Sequence, residues 1–135
     1  MRHLFVDTSA WVAMADASDP DHAACATARD AWLEGAGVLV TTDYVVDETL
    51  TLLRMRLGVD AAQDWWTQVE NSSRIRWEWI SPARSDKARA WLFRWRDKDF
   101  SFTDCTSFVV MRELRVRVAL TVGRHFRQAG FDELP

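Results

Sequence analysis

The chain has 135 residues, 48% of them hydrophobic and 27% charged, with a net charge of −3 at pH 7. That length suits one domain, residues 1–135, around one core, and without an apolar run of about 18 residues the sequence offers no membrane span. The net negative charge argues against indiscriminate binding to nucleic acid, because neutralising phosphates needs clustered Lys and Arg.

The N-terminus lacks the basic start and long apolar stretch of a signal peptide, so a cytoplasmic protein is expected. Leu4-Phe5-Val6 then reads as a short strand buried on both faces. Asp7-Thr8-Ser9 ends it, with Thr8 or Ser9 placed to cap a helix through Trp11, Val12 and Met14. Asp7 is therefore expected at the carboxyl end of a strand, the edge where parallel α/β sheets bind ligands. A polar break from Asp16 to Asp21 precedes a second helix, started by Asp19 or Asp21 and stopped by Gly35 and Gly37.

Val38-Leu39-Val40 is the next strand. Thr42 or Asp43 caps a helix whose Val46, Leu50, Leu53 and Leu57 recur at helical spacing. Glu48 lies off that stripe, on the side of Val45 and Leu52, and Gly58 closes the helix. Asp60 is expected to cap a further helix through Trp65, Trp66 and Val69. The segment from Arg74 to Ile80 alternates polar and apolar residues, as a half-exposed edge strand does. Ser81-Pro82 opens a helix through Ala88, Trp91 and Trp95.

Asp104 falls where a polar loop gives way to the apolar periodicity of Cys105, Phe108, Val109, Met111 and Leu114. Val116, Val118, Ala119, Leu120 and Val122 read as a strand, Gly123 to Gln128 as a turn or short helix, and Phe131 to Leu134 as a small final strand. Alternating helices and strands predict an α/β fold, a three-layer α/β/α sandwich around a mostly parallel sheet of about five strands. Eight tryptophans lie mostly on apolar stripes, where core packing is their default role. Trp77, Trp79 and Trp95 could instead stack on bases or meet a partner.

Cys25 and Cys105 show no metal-type or redox-type spacing and read as free thiols. His3, His22 and His125 form no paired-ligand motif and read as structural or exposed. Asp7, Glu48 and Asp104 are each near a helix start. On pattern alone two roles stay open for them. They can cap helices and pair with helix dipoles. Alternatively they converge, and a hard cation removes their mutual repulsion. Mg²⁺ or Mn²⁺ on such acids would support phosphodiester hydrolysis without a Ser, Cys or His nucleophile.

The ordered motifs Phe5-Val6-Asp7-Thr8-Ser9-Ala10-Trp11, Thr41-Thr42-Asp43-Tyr44-Val45-Val46-Asp47-Glu48-Thr49 and Ser101-Phe102-Thr103-Asp104-Cys105-Thr106-Ser107-Phe108 resemble those of the PIN-domain ribonucleases, in particular the VapC-type toxins. The tail from Ala119 to Phe126, with Gly130-Phe131, is similar to that family's last motif. The resemblance spans nearly the whole chain. It implies the fold just read, a Mg²⁺- or Mn²⁺-dependent endoribonuclease acting on transfer or ribosomal RNA, a homodimer and a small cognate antitoxin. It also implies Asp7, Glu48 and Asp104 as catalytic metal ligands, with Thr8, Ser9 and Thr103 as supporting hydroxyls.

One position departs from the pattern. Gly123 stands where the family's Thr-x-Asp-x-x-Phe places a fourth acid. Three readings follow: one ion on three acids, replacement of the missing charge by Asp99 or Asp132, or a weakened or inactive module that still binds RNA or antitoxin. Basic segments 84–98 and 112–127 flank the acids, and Arg94, Arg96, Lys98 and Arg124 are expected to approach the RNA backbone. A phospho-receiver domain fits less well, since the first strand is not followed by paired acids.

Overall fold

A computed structural model describes residues 2–135. Five strands form one sheet: β1 (His3–Val6), β2 (Val38–Thr42), β3 (Ile75–Glu78), β4 (Val118–Leu120) and β5 (Asp132–Leu134). Their order is β3-β2-β1-β4-β5, and every pairing is parallel. The seven helices among the described residues are α1 (Thr8–Ala15), α2 (His22–Glu34), α3 (Asp43–Leu57), α4 (Val59–Glu70), α5 (Pro82–Arg94), α6 (Phe102–Leu114) and α7 (His125–Gln128). Parallel strands need crossovers, and the helices that supply them cover both faces, which is the α/β/α sandwich expected. No helix among the described residues is long and apolar enough to cross a membrane.

The central strand explains the layout. Leu4, Phe5 and Val6 of β1 are wholly buried, so both faces of the strand must be covered. Burying one such side chain contributes about 1.5–3 kcal/mol. Leu4 is in register with Leu39 and Phe5 with Ala119, so β1 is held from both sides. The Asp7 N–H extends that ladder to the Leu120 carbonyl at 3.0 Å. On the β4 side, Phe108 of α6 is wholly buried and packs its ring against Trp91, Phe100, Phe126 and Phe131. This aromatic group joins α5, α6, α7 and the start of β5.

Helix ends follow local chemistry, with corrections to the sequence reading. Asp7, not Thr8 or Ser9, is the N-cap of α1, and its side chain makes no capping bond. Thr42 caps α3 as expected, accepting from the Val45 N–H at 3.1 Å. Gly58, not Asp60, precedes α4. Its φ of +100° is the glycine-favoured region, which lets one residue both end α3 and begin α4. Strand β4 stops at Leu120, and Val122 is exposed rather than part of the ladder, because Thr121 turns the chain toward α7.

The tryptophans divide. Trp11 and Trp65 are buried against each other, edge to face at 5.6 Å. Trp77 packs partly buried on Trp66, whereas Trp79 and Trp95 are exposed, contrary to their default core role. Trp79 lies just beyond the last residue of β3, where the sheet no longer covers it. Both cysteines are free and buried. Burial, then the neighbouring Asp104 charge, pushes the Cys105 thiol up to about 11, so it stays protonated and is no nucleophile.

Candidate functional site

Asp7, Glu48 and Asp104 come from three separate segments and line one cavity of about 470 Å³. Asp7 arrives at the carboxyl end of β1, between strand and helix. Glu48 projects from α3 beside Leu52, one turn further along the same wall. Asp104 enters from the first turn of α6. The carboxyl ends of parallel strands, with helix starts beside them, converge at the cavity.

The two roles left open by the pattern separate by residue. Asp7 does not cap with its side chain. Its Oδ2 instead accepts from Ser9 Oγ at 2.9 Å and from Thr121 Oγ1 at 3.0 Å. Ser9 Oγ in turn accepts from the Val122 N–H at 3.0 Å. Glu48 lies beyond the first turn of α3, whose acid there is Asp43. Asp43 has a structural task, accepting the Ile80 N–H at 2.8 Å and pinning the chain beyond β3. Asp104 does cap: it closes a capping box with Ser101, the Asp104 N–H donating to Ser101 Oγ and the Ser101 N–H to Asp104 Oδ2. The capping box thus holds Asp104 at the cavity wall.

The electrostatics are those of crowded acids, with Arg56 as the one Lys or Arg in the wall. Burial of the carboxyl, followed by the charge of Asp104, pushes the Asp7 pKa from 3.8 up to about 6, against the opposing bonds from Ser9, Thr121 and Thr8. Thr8 is also in the wall, and its buried Oγ1 has no hydrogen-bond partner among the described residues. Among the described residues no three or more His, Cys, Asp or Glu side chains are placed together closely enough to hold a metal ion by themselves. A Mg²⁺-type site does not need that many. That ion keeps several waters and takes one or two carboxylates plus substrate phosphate. Crowded oxygen donors, a raised carboxyl pKa and an unpartnered hydroxyl fit such an open site.

The remaining expected residues are placed as follows. Ser9 lines the cavity with Thr8, but Thr103 does not; its carbonyl accepts from the Thr106 and Ser107 hydroxyls inside α6. Asp99 and Asp132 are exposed and outside the wall. Gly123 is exposed, and a Cβ built there would meet no atom within 4 Å. Arg94, Arg96 and Arg124 are exposed, Arg94 lying over the Trp95 ring at 5.6 Å, while Lys98 pairs with Asp97 at 3.4 Å.

Residues that motif reading passed over are also in the wall. Asp19 and Asp21 come from the loop between α1 and α2, Arg56 from the last turn of α3, and His125 from α7. His125 Nδ1 lies 2.6 Å from Asp104 Oδ2, which corrects its reading as merely structural or exposed. Helical spacing could have flagged Arg56, because residues 48, 52 and 56 recur every four positions along one side of α3.

The sequence pattern of the PIN domain matches residues 4–132. The 23S rRNA-specific endonuclease VapC20 of Mycobacterium tuberculosis is 36% identical over 131 residues, covering 97% of both chains. The chain belongs to the VapC-type PIN-domain family. Ribonuclease VapC26 of the same organism is 32% identical over 126 residues, covering 91% of this VapC-type chain and 89% of that one. The crystal structure of M. tuberculosis VapC20, described as a sarcin–ricin loop cleaving toxin, superposes with a TM-score of 0.85 at 34% identity, over 95% of each chain. The structure of FitAcB from Neisseria gonorrhoeae gives a TM-score of 0.64 at 13% identity, over 98% of this chain and 96% of that one, and shares the fold.

Proposed function

We propose that this chain is a metal-dependent endoribonuclease toxin that hydrolyses a phosphodiester bond of ribosomal RNA, with the sarcin–ricin loop of 23S rRNA as its target. The observation that carries this reading is the convergence of Asp7, Glu48 and Asp104 on one cavity in a chain alike over 97% of its length to a 23S rRNA endonuclease. In this reading those three acids are the catalytic group and hold Mg²⁺ or Mn²⁺. When bound, the ion would acidify a water and offset charge building on the scissile phosphate.

The chain's own residues do the positioning. Ser9 and Thr121 fix the Asp7 carboxylate by hydrogen bonds to Oδ2. Thr8 offers an unpartnered hydroxyl to water or substrate. Val12, Leu52 and Val122 form the apolar part of the wall, which strengthens electrostatic interactions inside it. The exposed Arg94, Arg96 and Arg124, with Lys98, receive the RNA backbone around the cut. We further propose that the protein acts in the cytoplasm as a homodimer and is held in check by a small antitoxin that places a segment at the acidic cavity.

The test is incubation with an RNA hairpin carrying the sarcin–ricin sequence and Mn²⁺, followed by mapping of the new RNA ends. One cut, abolished by chelator and by Asp7→Asn, is expected. Cleavage that survives chelation, or equal cleavage by the variant, refutes the reading.

A further inference from the structure

Asp104 carries two hydrogen bonds on its side chain, and both fall on Oδ2. One is the Ser101 N–H of its own helix cap at 3.0 Å. The other comes from the start of α7, where His125 Nδ1 stands at 2.6 Å. Oδ2 already accepts from the Ser101 N–H, and the second contact is taken with the Nδ1–H tautomer as donor. Asp104 Oδ1 takes no hydrogen bond from the described residues.

The His125 ring is itself held. Its edge-to-face contact with buried Phe100 has a centroid distance of 5.7 Å, and Phe100 packs on Phe108 at the centre of the aromatic group. Four residues before His125, Thr121 donates to Asp7 Oδ2. One short turn, from β4 into α7, therefore contacts both carboxylates, each at Oδ2.

We infer that His125 is a positioning residue for the metal site: its Nδ1–H holds Asp104 Oδ2 so that Oδ1 faces the ion. This rests on the reading of Asp104 as an ion ligand. The turn from residue 121 to 125 contributes two bracing donors, Thr121 and His125, where the family pattern has a carboxylate at 123. Donors behind a ligating carboxylate fix its orientation, and losing one costs about 10–100-fold in metal affinity.

The first measurement uses the metal-free protein. Nitrogen-resolved NMR of the histidine rings should give a slowly exchanging Nδ1–H signal for His125 that is lost in Asp104→Ala. A freely exchanging His125 ring in the wild type overturns the inference.

The second is calorimetric titration with Mn²⁺ of the wild type, His125→Leu and His125→Asn. Leucine keeps the packing on Phe100 but has no donor, and asparagine places an amide N–H near the position of Nδ1. Affinity should fall about 10–100-fold for leucine and return to within a few-fold of wild type for asparagine. Equal affinity in all three overturns the inference and leaves the nuclease reading standing. Failure of the wild type to bind Mn²⁺ overturns both. Thermal melts of the three proteins separate loss of a donor from loss of fold.

Discussion

Neutralising Asp7 should stabilise the metal-free protein. Burial and the Asp104 charge raise the Asp7 pKa from 3.8 to about 6. Such a group binds its proton more tightly when folded than when unfolded. Its favourable contribution is complete below pH 3.8 and is lost as pH rises through 6. The gap between those values corresponds to about 3 kcal/mol of destabilisation at pH 7.5. Asp7→Asn removes the charge, and its amide oxygen can still accept from Ser9 and Thr121. In chelator at pH 7.5 the variant should therefore gain up to about 3 kcal/mol, or roughly 10 °C in melting temperature. The gain should shrink toward zero near pH 4. Added Mn²⁺ should reverse the order once it is well in excess, since an ion at about 1,000 times its Kd stabilises the wild type by about 4.1 kcal/mol. Urea melts at the two pH values, with chelator and with Mn²⁺, measure all of this. A variant that is neutral or less stable than wild type at pH 7.5 in chelator refutes the picture of Asp7 as a repelled, buried charge.

Four further outcomes are expected. Glu48→Gln should keep the melting temperature within a few degrees yet lower cleavage about 100-fold or more, measured on the RNA hairpin; retained cleavage would remove Glu48 from the chemistry. Gly123→Asp should fold normally, because its Cβ meets nothing within 4 Å, and should raise Mn²⁺ affinity about tenfold by adding a carboxylate next to the wall residue Val122; calorimetry decides. Replacing Arg94 and Arg96 by Ala should lower the salt dependence of RNA binding by about one logarithmic unit of slope per arginine, and an unchanged slope removes them from the interface. Phe108→Ala should cost about 3–5 kcal/mol in denaturant melts, because it deletes the ring shared by four aromatic neighbours.

The parallel sheet could be read from the sequence because its strands are short apolar runs separated by helical periodicity. Leu4-Phe5-Val6 and Val38-Leu39-Val40 carry that signal by themselves, and both are strands. Asp7 and Asp104 could be located because each marks a change of period, from strand to helix or from loop to helix. Glu48 was singled out by the resemblance to the family; helical spacing alone only set it off the apolar stripe, on the side of Val45 and Leu52.

What stayed hidden depends on contacts between distant segments. The bond from His125 to Asp104 spans 21 positions and exists only because α7 folds back over the start of α6. Asp19 and Asp21 sit in a polar loop that resembles any other until α1 and α2 bring it to the cavity. Helix caps were misassigned where two candidates stood close together. Gly58 displaced Asp60 because a positive-φ glycine ends one helix and begins the next without a linker. The exposure of Trp79 depends on where the edge strand ends, which alternation alone could not fix.

The hydrogen bond from Thr121 to Asp7 joins residues 114 positions apart, and His125 reaches back to Asp104 from the same turn. All three acids are synthesised well before either brace. A chain cut short after residue 117 would contain every carboxylate of the cavity, yet its central strand would lack the β4 neighbour, and Asp7 and Asp104 would keep only the bonds from Ser9 and Ser101. On the proposed reading, metal binding therefore waits for residues 118 to 125, and a chain that stops before Val118 should bind Mn²⁺ far more weakly than one that includes His125.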